Sequence, residues 1–153
     1  MSKLIDPRDA NDLNGILIKH ISHALINMRN KNLMQFDITA VQEDVLIFLW
    51  KNRDRENIYQ RDIESYLKLK TPTVTGILKR LEEKKMIIRY PDKRDGRCTC
   101  HKLTDKGKYV VQHAFNHEIV NMEKQLVNNM TEEEKTNLNN LLKKILKNVE
   151  ENK

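Results

Sequence analysis

The chain has 153 residues, a net charge of +6 and 33% charged residues, but only 5% aromatic residues. This length and composition indicate one mainly helical domain that is elongated or dimeric. No apolar run can span a bilayer and no signal-peptide core begins the sequence, so we expect a cytoplasmic protein without membrane partners.

Two helices are predicted in the first third of the chain. The first covers residues 9–30, and either Asp6-Pro7 or Asp9 can start it. Its apolar stripe consists of Leu13, Ile16, Leu17, Ile21, Leu25 and Met28. The polar stretch 30–36 is predicted to be a loop. Thr39 and Gln42 then form a capping box for a second helix. We expect that helix to be largely buried, because it carries Val45, Leu46, Phe48, Leu49 and Trp50.

A helix-turn-helix is predicted over residues 59–82. Its first helix runs from Ile58 to Leu67, and a short turn at Leu69 and Lys70 leads into the second helix. Thr71 is a good N-cap for the second helix, since its hydroxyl can accept a hydrogen bond from a free backbone N–H. Pro72 suits the first helical position, where its missing N–H costs nothing.

The second helix has two different faces. The face that we expect to be buried consists of Val74, Ile77, Leu78 and Leu81. The opposite face is small and polar at its start and basic further on, and it consists of Thr73, Thr75, Gly76, Lys79 and Arg80. A helix that enters a DNA major groove needs slim residues near the bases and cations near the flanking phosphates.

A basic β-hairpin is predicted over residues 87–103. The apolar run 87–90 forms its first strand and residues 98–103 return as its second strand. The turn between them carries the cations Lys93, Arg94 and Arg97. Asp95-Gly96 favours a hairpin turn, because glycine tolerates a positive φ. Two helices followed by a basic hairpin make a winged helix-turn-helix.

Two further helices are predicted within residues 104–150. Thr104 caps the first, whose apolar residues are Val110, Val111, Ala114, Ile119, Met122 and Leu126. A capping box at 131–134 opens the second, whose apolar residues are Leu138, Leu141, Leu142, Ile145, Leu146 and Val149. A small winged domain has no further layer of secondary structure that could cover these apolar stripes, so they must pack against another surface.

The positive charge is concentrated in the winged segment. Residues 59–103 hold twelve Lys and Arg against six Asp and Glu, which leaves sixteen of each in the rest of the chain from totals of 28 and 22. The whole excess therefore lies on one module, as expected for a face that binds phosphates.

The run L-K-R-L-E-E-K-K-M-I-I-R-Y-P-D-K-R-D-G-R, followed by L-T-D-K-G, resembles the MarR family of bacterial transcriptional regulators. The family's wing signature, D-x-R and then L-T after five residues, is met by Asp95, Arg97, Leu103 and Thr104. The resemblance extends over nearly the whole chain. One position departs from it: the family usually has glycine just after the recognition helix, where this chain has Lys85. A left-handed backbone there would cost Lys85 about 1 kcal/mol.

The resemblance implies that residues 9–150 form a MarR-type winged helix-turn-helix domain, mainly α with a small β-wing. Residues 9–30 and 104–150 would form a homodimer interface. The implied function is sequence-specific regulation of transcription, in the first place repression, with double-stranded DNA carrying a pseudo-palindromic operator as the partner. A small-molecule effector is a further expected partner, and neither enzymatic activity nor a cofactor is expected.

The recognition helix is expected to read bases in the major groove. The wing would place Arg97 in the neighbouring minor groove, with its guanidinium held by Asp95. Gln60, Arg61 and Lys70 are candidates for phosphate contacts. The full set of predicted DNA-binding residues is Gln60, Arg61, Lys70, Thr71, Thr73, Thr75, Gly76, Lys79, Arg80, Lys93, Arg94, Asp95 and Arg97.

Three other interpretations stay open at this point. His113 and His117 are spaced to bind one metal ion, and His20, His23 and Asp44 are further candidate ligands, although surface or interface histidines are the commoner case. Cys98 and Cys100 would share one face of the second wing strand and form a thiol sensor, although a bridge between them is unfavourable. The winged helix would otherwise be a protein-interaction module. Enzyme classes are disfavoured, because phosphate-cradling glycine loops and hydrolase motifs are absent from the sequence.

Overall fold

A computed structural model describes residues 4–152, which contain six α-helices and one two-stranded antiparallel sheet. The chain divides into two compact units, one ending at Glu118 and one beginning at Ile119. Within residues 4–152, none of the helices combines the length and apolar character needed to cross a membrane.

Helix α1 spans Asn14–Leu33, so the predicted bounds of 9–30 are wrong at both ends. The carboxylate of Asp6 accepts the backbone N–H of Arg8 and caps a short 3-10 turn, Pro7–Asp9, instead of the helix. The stretch 30–36, predicted as a loop, continues α1 and ends in a second 3-10 turn, Met34–Phe36. Its polar residues suggested a loop, but they can be accommodated in a helix because they bind other parts of the chain. The Asn30 side chain, for example, accepts the Ala40 N–H at 2.7 Å.

Helix α2 spans Ala40–Lys51, and its predicted capping box is confirmed. The Thr39 hydroxyl accepts the Gln42 N–H at 3.3 Å, while the Gln42 side chain accepts the Thr39 N–H at 3.2 Å. The helix is largely buried, as expected, and packs against the other elements of the winged unit. The centre of the core consists of Leu33, Val45, Leu46, Leu49, Ile63, Val74, Leu81, Met86 and Ile87.

Helix α3 spans Gln60–Leu67, two residues shorter at its start than predicted. Ile58 and Tyr59 are extended, because they pair with the returning strand of the hairpin. The Ile58 carbonyl accepts the His101 N–H at 2.9 Å, and Tyr59 forms a bridge with Cys100. A pairing partner some forty residues away in the chain therefore decides where α3 begins.

Helix α4 spans Thr71–Glu83, and Lys70 is its N-cap. The prediction that Thr71 caps this helix is therefore wrong by one residue. The Lys70 carbonyl already accepts the Val74 N–H at 3.1 Å, which draws Thr71 into the first turn and puts Pro72 at the second helical position. The Gln60 amide donates to the Thr71 carbonyl at 3.3 Å and fixes this turn against α3.

The wing consists of β1, Ile87–Pro91, and β2, Thr99–Leu103. The strands are antiparallel and pair from Ile87 opposite Leu103 to Pro91 opposite Thr99. They are joined by a seven-residue loop, 92–98, rather than by a tight turn at Asp95-Gly96. Gly96 does not adopt a positive φ, so this loop does not require the positive φ for which glycine was expected at the turn.

Helices α5, Asp105–Leu126, and α6, Glu132–Glu151, follow the wing. Both predicted caps are confirmed: the Thr104 hydroxyl accepts the Gly107 N–H at 3.1 Å, and Thr131 and Glu134 form a capping box. None of the described residues of α6 is buried. Large apolar side chains of α1 are exposed as well, among them Leu17, Ile18, Ile21 and Ile26.

Candidate nucleic-acid interface

Helix α4 separates its two faces as the sequence predicts. The apolar face is buried in the core, and the predicted DNA-facing side chains, Thr73, Thr75, Lys79 and Arg80, are all exposed together with Gly76. A methyl group added to Gly76 would meet nothing within 4 Å. The outer surface of α4 is therefore free to approach a nucleic acid closely along its first two turns.

Gln60 braces α3 against α4. Its side-chain amide donates to the Thr75 hydroxyl at 2.8 Å and to the Glu64 carboxylate at 3.0 Å, in addition to its contact with the start of α4. The structure thus places Gln60 beside the exposed face of α4 but engages its donor within the protein. Arg61 and Lys70 are exposed next to it, and the Arg61 guanidinium lies 4.9 Å from the centroid of the Tyr59 ring.

Two tyrosines tie the base of the wing to the segment before α3. The Tyr59 hydroxyl donates to the Asp92 carboxylate, which also accepts the Arg94 N–H at 2.8 Å. The Tyr90 hydroxyl donates to the Glu56 carbonyl at 2.7 Å. The hydrogen bonds from the Tyr59 hydroxyl and then from the Arg94 N–H lower the pKa of Asp92, and the hydrogen bond with Asp92 raises the pKa of Tyr59 to about 12. The pair therefore keeps a charged acceptor and a neutral donor at neutral pH.

The wing loop presents three cations. Lys93, Arg94 and Arg97 are all exposed around it. The predicted pairing of the Asp95 carboxylate with the Arg97 guanidinium is wrong, because the described residues 4–152 contain no ion pair between these two side chains. The Asp95 carboxylate instead accepts the backbone N–H of Arg97 at 3.1 Å, and the Asp95 carbonyl accepts the Cys98 N–H at 2.9 Å. Asp95 therefore shapes the turn that carries Arg97, and leaves the guanidinium itself to the solvent.

The junction between α4 and the wing has the left-handed residue that the resemblance implied. Lys85 has a φ of 58°, in the region that glycine would occupy without strain. The hydroxyl of Thr104 donates to the Lys85 carbonyl at 2.7 Å, and the Lys85 N–H donates to the Glu82 carbonyl at 2.9 Å. These two hydrogen bonds hold the backbone in place and offset part of the conformational cost.

The family model described as the MarR family matches residues 38–99, which include the helix-turn-helix and most of the wing. The multiple antibiotic resistance protein MarR of Salmonella typhimurium is 30% identical over 132 residues, which cover 86% of this chain and 90% of that protein. This chain belongs to the MarR family. Membership makes it a DNA-binding transcriptional regulator rather than an enzyme, and it confirms the predicted family and fold class.

Two further MarR-family relatives illustrate the extent of the similarity. The crystal structure of the Staphylococcus aureus MepR–DNA complex superposes with a TM-score of 0.71 at 34% identity, covering 89% of this chain and 96% of that chain. The HTH-type transcriptional regulator TtmR of Methylorubrum extorquens is 31% identical over 67% of this chain. This chain spans about half the length of TtmR, since the match covers 51% of that protein.

The cysteines of this MarR-family chain do not share a face, contrary to the prediction. β2 begins at Thr99, so Cys98 belongs to the wing loop and is exposed, whereas Cys100 is buried. The Cys100 thiol lies 3.5 Å from the Asn57 side-chain oxygen, and burial raises the pKa of this thiol. A raised pKa disfavours the reactive thiolate, so Cys100 is a packing residue of the wing base.

The proposed metal ligands are engaged separately. His113 lies against Tyr109, with its Nδ1 2.8 Å from the Tyr109 carbonyl, and His117 lies near Gln35, whose side-chain nitrogen is 3.4 Å from the ring nitrogens of His117. Asp44 pairs with Arg29 at 2.8 Å. The part of the chain that the structure describes contains no group of three or more His, Cys, Asp or Glu arranged to hold a metal ion.

Three residues near the interface escaped the sequence analysis. Tyr59 and Asp92 form the brace described above, and only Asp92, two residues before Arg94 in a turn, carried a local signal for its backbone contact. His101 lies opposite Arg89 in the hairpin and is buried, with no hydrogen-bond partner for its Nδ1. Burial, and then the charge of Arg89, lower its pKa, so His101 is neutral at pH 7.

Proposed function

We propose that this MarR-family protein is a cytoplasmic transcriptional repressor that binds a pseudo-palindromic operator as a homodimer. The observation that carries the proposal is the exposed outer face of α4, with its two small threonines and Gly76 followed by Lys79 and Arg80, next to a basic wing. A face of this kind fits a major groove, since its slim start admits base edges and its cations meet phosphates.

The remaining predicted contacts divide into two groups. Arg61, Lys70 and Thr71 lie exposed near the start of α4 and are proposed to contact phosphates, with Gln60 as their brace. Lys93, Arg94 and Arg97 lie on the wing, where Arg97 is proposed to enter the minor groove and Asp95 to set its turn. Phosphate contacts position the protein, and base contacts on α4 provide the specificity.

Homodimer formation is supported by the apolar stripes of α1 and α6. The side chains of Leu17, Ile21, Leu141 and Ile145 are exposed in the single chain, although each belongs to a helical apolar stripe. A stripe of this kind is stable in water only when another surface covers it. We propose residues 9–30 and 104–150 as that mutual surface, within one domain over residues 9–150.

A small-molecule effector is part of the proposal. A groove of about 440 Å³ lies beside the recognition helix, and its lining includes Thr75, Lys79, Arg89 and His101. A ligand bound there would lie against the DNA-reading face and compete with operator binding. The groove supports an effector whose binding releases DNA, rather than one that strengthens binding.

Selection of bound sequences from a random duplex library tests the proposal. We expect enrichment of an inverted repeat whose half-sites lie one helical turn apart, with affinity that falls as salt rises. The rival interpretation is that the helix-turn-helix is a protein contact surface. That interpretation would be favoured if no sequence were enriched and binding to random DNA were as tight as binding to the selected pool.

A further inference from the structure

A buried ionic cluster joins α1, α2 and the first part of α5. Arg29 of α1 places its Nη2 2.9 Å from the Glu43 carboxylate and 2.8 Å from the Asp44 carboxylate, both on α2. Its Nε donates to the carboxylate of Glu118 on α5. A single guanidinium therefore holds three helices together through three different carboxyl groups.

The charges in this cluster do not balance. The side chains of Glu43 and Glu118 are 0% and 5% exposed, whereas that of Asp44 is 37% exposed and partly solvated. Arg29 supplies one positive charge against three carboxyl groups, and Glu43 Oε1 is buried with no hydrogen-bond partner. Two buried carboxylates that share one guanidinium cannot both stay ionised without a large desolvation cost.

We infer that Glu43 and Glu118 share one proton, and that this proton makes the Arg29 cluster a pH-sensitive joint between α1, α2 and α5. The shared proton satisfies one carboxyl oxygen and leaves a single buried negative charge for Arg29 to neutralise. Loss of the proton leaves two buried negative charges side by side, and the helices must separate to hydrate them.

The titration properties of the pair agree with this geometry. Burial first, and then the neighbouring Glu118 carboxyl, raise the pKa of Glu43 to about 8, against the opposing effect of Arg29. The charged groups that meet the pair are Arg29 from α1 and, through the same guanidinium, Asp44 from α2, and the titratable neighbour on α5 is His117, one residue before Glu118. His117 keeps an ordinary position near Gln35 and Phe36, where it lies edge-on to the Phe36 ring.

The direction of the pH effect follows from the raised pKa. In the unfolded chain Glu43 loses its proton near its ordinary pKa of 4.5, whereas the folded chain keeps the proton until about pH 8. The stabilisation is therefore complete below the unfolded pKa, declines as the pH rises, and is lost above the folded pKa. Alkaline conditions near and above pH 8 should open the cluster.

Helix α2 connects this cluster to DNA binding. It packs against α3, α4 and β2, and also against α1. A change in the α1–α2–α5 contacts therefore acts on the element that supports the recognition helix. This makes operator affinity dependent on the state of a carboxyl pair that does not touch DNA.

Carbon-13 NMR of the side-chain carboxyls in the full-length protein tests the shared proton directly. We expect the Glu43–Glu118 pair to take up one proton with a midpoint near pH 8. Glu118→Gln should move the Glu43 transition to lower pH, because it removes a buried like charge. The inference would be overturned if both glutamates were fully ionised at pH 6.

Binding to a duplex selected from a random library tests the coupling. The wild-type protein should lose affinity by about fivefold or more between pH 7 and pH 9, the lower end of typical allosteric couplings.

Glu43→Gln mimics the protonated side chain and should bind at pH 9 as the wild type binds at pH 7. Asp44→Asn is the matched control and should keep the wild-type pH profile. A wild-type affinity that does not change between pH 7 and pH 9, or identical profiles for Glu43→Gln and Asp44→Asn, would refute the coupling.

Discussion

Folding and DNA binding make opposite demands on Gly76. The residue lies within the exposed face of α4, where glycine weakens a helix by about 0.5–1 kcal/mol relative to alanine. Gly76→Ala should therefore raise the free energy of unfolding by up to about 1 kcal/mol, since the added methyl meets nothing within 4 Å. The same methyl would stand between the helix backbone and the bases, so operator affinity should fall roughly tenfold.

Urea unfolding and fluorescence anisotropy on labelled operator measure these two effects in one variant. Gly15→Ala is the control, because Gly15 is also helical and equally open to a methyl group but lies on α1. It should stabilise the fold, and it therefore separates the effect of helix propensity from that of the proposed DNA contact. If Gly76→Ala bound DNA as well as the wild type, close approach of α4 to the bases would be disproved at this position.

Arg97 is exposed on the wing, and the Asp95 carboxylate orders the backbone of its turn. A long planar cation suits the narrow minor groove, where the negative potential is strongest over A·T-rich steps. Arg97→Ala should weaken operator binding by roughly 1–3 kcal/mol and reduce the preference for A·T pairs that flank each half-site. Asp95→Ala should have a smaller effect, because it loosens the turn but keeps the guanidinium.

Lys79→Ala provides the contrast for Arg97→Ala. Lys79 lies about two turns into α4 and is proposed to meet a phosphate, so its removal should weaken binding to selected and random DNA about equally. Removing one phosphate interaction should reduce the salt slope by about one, and a dimer carries each interaction twice. An Arg97→Ala variant with wild-type affinity across a salt series would exclude the wing from DNA reading.

At the scale of elements, Gly107 shows where close packing requires a missing side chain. It lies in the first turn of α5, next to Met86 in the segment between α4 and β1. A Cβ on Gly107 would lie 2.0 Å from the Met86 carbonyl oxygen and 3.1 Å from Leu103 Cδ2. That carbonyl already accepts the Thr104 N–H at 3.1 Å, so it cannot move freely. Gly107→Ala should therefore lower the free energy of unfolding by about 1–3 kcal/mol or more, despite its better helix propensity.

The midpoint of urea denaturation checks the Gly107 prediction, again with Gly15→Ala as the matched control. Opposite signs for the two glycine-to-alanine changes would establish that packing, rather than backbone entropy, decides the effect at Gly107. Equal stabilisation by both changes would contradict the close contact with Met86.

Elements that depend on local chemistry were predictable from the sequence. The capping boxes at Thr39 and Thr131 and the two faces of α4 are all properties of a few neighbouring residues. Errors arose where distant partners decide the local structure. Tyr59 is extended because Cys100, far along the chain, pairs with it.

The interface shows the same division between local and distant information. The exposure of its α4 residues follows from helical periodicity, whereas the Tyr59–Asp92 brace joins residues 33 apart in the chain. The Arg29 cluster was not foreseen for the same reason, since Arg29 and Glu118 are separated by 89 residues. Only the placement of glutamates on otherwise apolar helix faces, at Glu43 and Glu118, could have pointed to it.

At the scale of the whole molecule, the two compact units bury their apolar residues to different extents. The core residues all lie in the unit that ends at Glu118, whereas α6 has no buried residue. Leu141 and Ile145, one turn apart on α6, are 56% and 37% exposed. If α6 forms part of a homodimer interface, these side chains contribute to association but not to the core of the single chain.

The double variant Leu141→Glu, Ile145→Glu should therefore be a folded monomer. Fully burying a Leu or Ile side chain stabilises by about 1.5–3 kcal/mol. The exposed parts of the four side chains in a dimer amount to roughly two full ones, which is on the order of 3–6 kcal/mol or about two to four orders of magnitude in Kd. Thr136→Glu, Asn140→Glu is the matched control, because it adds the same charge at the same spacing on the opposite side of α6.

Sedimentation equilibrium should show a monomer for the first variant and a dimer for the second, with unchanged helical circular dichroism in both. A stable dimer of the first variant, or dissociation of both, would remove α6 from the proposed interface.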